Sequence, residues 1–214
     1  MDSLGTGEWI VIGLSLIIFL FFIIGNYINN QRSRDVLRWL RRGLATFGEV
    51  KSSLLSAPTT SGIRMKIEPA DGSPLKDILV NLVLERRENL PLWIYQLLRG
   101  KRDHLVIMAN VQPIPEGEVH GYHQSNLGPV EAARRGEKAS LTFVKQAGDF
   151  HIFVQGGVEP NLVNRVEKLV AQYPALLREA SLVRKSPQLT IDLRFSALKE
   201  CDPQSFFQSI KAAL

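Results

Sequence analysis

From Trp9 to Ile24 the chain reads WIVIGLSLIIFLFFII, sixteen residues without a charge, and Gly25 to Asn30 extends the run uncharged. That exceeds an ordinary soluble core helix and approaches the roughly 20 apolar residues that cross a hydrocarbon layer of about 30 Å. Trp9 and Tyr27 stand eighteen positions apart, roughly 27 Å along a helix at about 1.5 Å per residue. Amphipathic aromatics at that separation suit the two interfacial belts of a bilayer. A buried core helix and a cleaved signal peptide are the competing readings. A signal peptide carries positive charge ahead of its apolar run, whereas Asp2 and Glu8 precede this one. The run therefore reads as a retained single-pass span over residues 9–28, a signal anchor.

The flanks orient it. Residues 1–8 hold two acids and no Lys or Arg, while Arg32, Arg34, Arg38, Arg41 and Arg42 against Asp35 give residues 31–42 a formal +4. Positive charge beside a span stays cytosolic. The expected topology is a translocated N-terminus (1–8) and a cytosolic remainder, in the plasma membrane of a prokaryote or the endoplasmic reticulum of a eukaryote. Most of the formal net charge of +5 is this collar.

Residues 29–55 read as one basic amphipathic juxtamembrane helix. At 100° per residue Val36, Leu37, Trp39, Leu40, Leu44, Phe47, Val50 and Leu54 fall within roughly 160°, and Arg34, Arg38, Arg41 and Arg42 fall opposite. Such a face, with Trp39 as a further interfacial anchor, can lie in the headgroup layer while the arginines bind anionic lipid or another anionic partner. The same periodicity serves a helix packed on its own domain with solvated arginines. Both readings stand at this point.

Ser56–Gly62 (SAPTTSG) reads as a linker, and residues 63–214 as a cytosolic α+β domain. With 45% hydrophobic and 22% charged residues the chain can build a core. Strands are expected at 63–68, 78–85 and 105–111, with a helix from Leu90 to Arg99 capped by Asn89, a βαβ-like unit of unknown pairing direction. Residues 113–138, rich in Gly and Pro, read as a long loop. A hairpin follows at 139–155, an amphipathic helix at 160–173, a strand at 189–195, and a terminal helix opened by Asp202-Pro203. The inventory predicts a mainly antiparallel sheet with helices on one face.

Chemistry is scarce on this scaffold. Lone Cys201 excludes an intramolecular disulfide. His120, His123 and His151 lie on a loop and a separate strand, a poor frame for a metal, and no metal or other cofactor is expected. Neither P-loop, GxGxxG nor GxSxG occurs. A domain without aromatic–basic interleaving is no case for sequence-specific nucleic acid.

Asn26-Tyr27 closing the span, the arginine-rich helix with Trp39 and Phe47, and then ILVNLVLERRENLPLWIYQLLRGKRDHLVIMANV resemble the calumin-like proteins, the coiled-coil-domain subunit of the PAT complex. The resemblance is loose, spans about residues 24–212, and rests on structural rather than catalytic motifs. It implies a non-enzymatic anchored domain assisting insertion or folding of multipass membrane proteins near the Sec translocon, with the lipid bilayer, the translocon or other membrane proteins as partners. A ribosome is a weaker expectation, because no basic coiled-coil tail follows Leu214 in this sequence. An accessory or scaffold subunit of another membrane complex is the alternative, and a membrane-surface enzyme without a local motif the third. The helix 90–99 is apolar nearly all round, which nominates Trp93 and Tyr95 for partner contact unless both are core.

Overall fold

The computed structural model describes residues 5–48, 51–54, 62–70, 72–126 and 141–214. Of the segments expected above, residues 1–4 of the N-terminus, Val50, the linker up to 61 and the loop over 127–138 lie outside this set.

One helix, α1, runs from Thr6 to Leu44 without interruption. It starts where the Glu8 carboxylate accepts the Gly5 N–H at 2.8 Å, and its apolar segment is long enough by length and composition to cross a membrane. The expected boundary between a span and a separate collar helix at residue 28 is therefore absent. Nothing in NYINNQRSRD breaks a helix, since it contains neither Pro nor Gly. Residues 7–20 are exposed on all sides. Thereafter Gly25, Asn29, Ser33, Val36, Leu40 and Leu44 form one buried stripe at spacings of three and four. The collar also ends earlier than expected. A 3-10 turn over Ala45–Phe47 stops at Gly48, whose φ of +91° favours glycine, and Lys51–Leu54 is a strand.

The strands are β1 (Lys51–Leu54), β2 (Gly62–Glu68), β3 (Leu75–Val83), β4 (His104–Val111), β5 (Glu118–His123), β6 (Leu141–Ala147), β7 (Phe150–Gln155), β8 (Leu177–Leu182) and β9 (Leu189–Arg194). They form one sheet in the order β1-β2-β3-β4-β9-β8-β5-β7-β6. All neighbours pair antiparallel, β3 with β4 included. The strand–helix–strand unit is therefore no parallel crossover. It is a long hairpin carrying helix α2 (Leu90–Leu98) in its connection, which lets α2 stand off the end of the sheet. Residues 113–138 are also not all loop, because β5 pairs with β7 on one side and β8 on the other.

Strict alternation along β4 and β9 buries Leu105, Ile107, Ala109 and Val111 beside Leu189, Ile191 and Leu193. One core joins this row to the lower half of α1, to α3 (Pro160–Gln172) and to α4 (Pro203–Ala213). The α3 stripe is Val163, Val166, Leu169 and Val170; α4 contributes Phe206, Phe207 and Ile210. Helix α4 begins where the Asp202 carboxylate accepts the Ser205 N–H at 2.8 Å, with Pro203 at its first position. Trp39 belongs to this core. Its ring lies 5.7 and 5.5 Å from those of Phe206 and Phe207, and its Nε1–H donates to the Cys201 carbonyl at 3.0 Å. With 7% exposure Trp39 sits inside the domain rather than in a headgroup layer.

Candidate functional site

The residues that distinguish this chain from a plain α+β domain gather where α1 leaves the sheet. Gly25 is packed so closely that a Cβ there would meet the Arg87 carbonyl at 2.4 Å. One turn on, Asn29 donates from Nδ2 to the Glu85 carbonyl and accepts from Arg87 Nη1, both at 2.9 Å. Arg87 then forks onto Asp103, with Nη1–Oδ1 at 3.1 Å and Nη2–Oδ2 at 3.0 Å, and its Nη2 also lies 3.0 Å from Glu85 Oε2. Asp103 further accepts the Glu85 N–H at 2.7 Å and pairs with Arg32 of α1. Trp93 Nε1–H of α2 donates to Glu85 Oε2 at 2.8 Å. Asn29, Glu85, Arg87 and Asp103 are all buried.

Two strand ends supply this cluster, Glu85 and Arg87 just after β3 and Asp103 just before β4. Two acids face two arginines, so formal charge cancels, and a forked arginine–carboxylate pair fixes direction as well as distance. Burying such charges is costly, and removing one partner strands the others, typically at about 3–5 kcal/mol. The junction therefore holds α1 in one orientation against the sheet.

Beside this clamp stands α2. Asn89 caps it through the Leu92 N–H at 3.1 Å, and Pro91 occupies its first turn. It has no buried residue. Tyr95 is 48% and Leu98 83% exposed, Ile94 is exposed as well, and Trp93 is half-buried with its ring 6.3 Å from that of Phe21. Trp93 and Tyr95 are thus not core. Phe21 precedes Tyr27 by six residues, about 9 Å along the helix, so α2 lies alongside the apolar segment of α1.

A groove of about 600 Å³ opens between the carboxyl end of α2 and the adjoining end of the sheet, with Arg99, Lys101, Arg102, Arg178 and Arg194 in its walls. A second, of about 820 Å³, shares Glu85, Arg102, Asp103 and Ser196 with it and reaches Arg32 and Lys199. Burial, followed by the like charge of Arg178, holds the Arg194 guanidinium below its ordinary value. Burial and then Arg194 lower His123 likewise.

The other candidates lie elsewhere. Trp9 and Tyr27 are exposed on α1. Arg34, Arg38, Arg41 and Arg42 are exposed on the collar, Arg38 pairing with Asp35 at 2.5 Å. Only Arg32 enters the clamp. His120 and His123 sit on β5, and His151 on β7. Among the described residues no three His, Cys, Asp or Glu side chains are grouped as for a metal ion. His120 Nδ1 lies 3.1 Å from Ser181 Oγ, but the Ser181 hydroxyl donates to Glu179 at 2.9 Å. The acid therefore holds the serine proton instead of orienting the histidine, the reverse of a nucleophile relay. Burial and then Asp202 push the Cys201 thiol up to about 11, away from thiolate reactivity.

No protein-family model and no curated protein matches this chain. Sequence reasoning singled out α2 and the collar arginines but missed the clamp. Its available signal was polar Asn29 closing an apolar run, with Glu85, Arg87 and Asp103 at the mouths of two strands.

Proposed function

We propose that the chain is a non-enzymatic, single-pass membrane-anchored domain on the cytosolic side, which assists insertion or folding of multipass membrane proteins. The observation that carries this reading is α2, an apolar helix without a buried residue, held beside the apolar part of α1 by a buried ionic clamp. A soluble domain gains nothing from presenting Ile94, Tyr95 and Leu98 to water. A domain at the bilayer surface can offer them to apolar segments of another protein that have not yet found their own partners. The charge asymmetry across the apolar run supports the orientation. The resemblance to the calumin-like proteins supports the class of client and a place near the translocon.

The test is site-specific photocrosslinking from Leu98 and Ile94 in native membranes during membrane-protein synthesis. Adducts to newly made multipass proteins are expected, with none from Phe143 on β6. Adducts confined to one stable partner would transfer the role to a scaffold subunit of that complex. A reporter fused after Leu214 should be cytosolic; its appearance on the opposite side would overturn the reading.

A further inference from the structure

The groove at the end of the sheet contains more positive charge than the clamp uses. Its two acids, Glu85 and Asp103, are already engaged by Arg87 and Arg32, and exposed Arg102 lies 3.9 Å from Glu85 as well. Arg99, Lys101 and Arg102 line it from the α2 side, and Arg178 and Arg194 from β8 and β9. Arg178 has Asp192 at 3.5 Å. Arg194 donates to two neutral oxygens, the Ala175 carbonyl and Ser125 Oγ, both at 3.2 Å. Among the described residues five cations, Arg99, Lys101, Arg102, Arg178 and Arg194, thus line a groove of about 600 Å³ against two acids that the clamp already uses, an excess of positive charge that Asp192 beside Arg178 offsets only in part. The groove's wall includes Asp103, which pairs with Arg32 of α1, five residues beyond Tyr27 at the end of the apolar run; in the membrane-anchored reading this is where headgroups meet the helix.

We propose that this groove binds the phosphate of an anionic phospholipid headgroup. The proposal rests on the membrane-anchored reading above for the source of its ligand, though not for the phosphate chemistry. Arginine forks match phosphate oxygens in pairs, and one lipid phosphate would neutralise charges that the fold leaves facing one another. Ser125 and Gln96 in the lining add neutral hydrogen-bonding groups for the remainder of a headgroup. The exposed arginines of the collar, Arg34 and Arg41, lie outside this groove and serve as its internal control.

Native mass spectrometry of the full chain in detergent would measure retained phosphatidic acid, phosphatidylglycerol and phosphatidylcholine. Retention of the two anionic lipids at least tenfold above phosphatidylcholine is expected. Lys101→Gln with Arg102→Gln, both exposed, should cut that preference at least fivefold, and Arg178→Gln should add to the loss. Arg34→Gln with Arg41→Gln should leave it unchanged. Equal loss from the collar pair would overturn the proposal in favour of diffuse surface charge, as would equal retention of phosphatidylcholine. Glycerol phosphate displacing the lipid at equal concentration would overturn the lipid as source while keeping a phosphate site. Alkaline extraction of the same membranes separates the two readings. Release of the chain would sink the anchor, whereas glycerol phosphate binding measured by calorimetry would still report on the groove.

Discussion

Helix α1 is fastened to the domain twice, by unlike means. Towards its carboxyl end Val36, Leu40 and Leu44 pack with Trp39 against Phe206 and Phe207, an apolar contact in which a Cβ on Gly43 would meet the Phe207 ring at 2.2 Å. Towards the apolar run the attachment is Asn29 and Arg32 against Glu85, Arg87 and Asp103. The difference teaches where each kind of contact discriminates. Deep in a water-facing domain, burial of apolar area is a sufficient driving force. Beside lipid it is not, because hydrocarbon tails compete equally for any leucine. There a directional polar contact would keep a helix on its own domain, and this chain has one where its apolar run ends.

The contrast can be broken by mutation. Asp103→Ala removes the acceptor shared by Arg87, Arg32 and the Glu85 N–H, and should destabilise the fold by about 3–5 kcal/mol. Thermal unfolding of the detergent-solubilised chain measures it, and limited proteolysis should find new cleavage between residues 26 and 33. Leu40→Ala at the other attachment creates a cavity worth about 2–4 kcal/mol, yet should leave proteolysis at 26–33 unchanged. If both variants open the same peptide bonds, the two attachments form one cooperative unit and the contrast fails.

The smallest effect concerns pH. The Ser205 N–H and then its hydroxyl hold the exposed Asp202 carboxyl below the usual carboxylate range. A folded value below the unfolded one contributes stability above the ordinary aspartate pKa, lost as pH falls through the depressed one. Asp202→Asn should therefore flatten the acid limb of the α4 unfolding curve and leave the clamp region unchanged. An identical acid limb in both proteins would remove the cap from the account.

Much of the frame was legible in the residues themselves. The apolar run, the Asn89 and Asp202 caps, the α3 stripe and the alternation in β9 each obey a local rule. What was not legible depended on partners far along the chain. Asn29 meets Glu85 and Arg87 across more than fifty residues, and all three resemble solvated charges or a helix end when read locally. The collar periodicity fits lipid and core equally, and the aromatics of α4 that cover its apolar face lie more than 160 residues further along the chain. Strand β5, EVHGYH, hides in a Gly- and Pro-rich stretch because a central strand needs neighbours more than β-branched residues, and β7 and β8 supply them.

The unbroken course of α1 has a mechanical consequence. A helix with no joint between its apolar and domain-bound halves is a lever, with about 30 Å of its length from Gly25 to Leu44 fastened to the domain. In a bilayer, hydrophobic mismatch is relieved largely by tilting the spanning helix. If the apolar run spans a bilayer as proposed, no hinge absorbs that tilt, and a change in membrane thickness would swing the whole sheet and raise or lower α2 in the leaflet. On that reading the depth at which Ile94 and Leu98 are offered would be set by the thickness of the membrane itself.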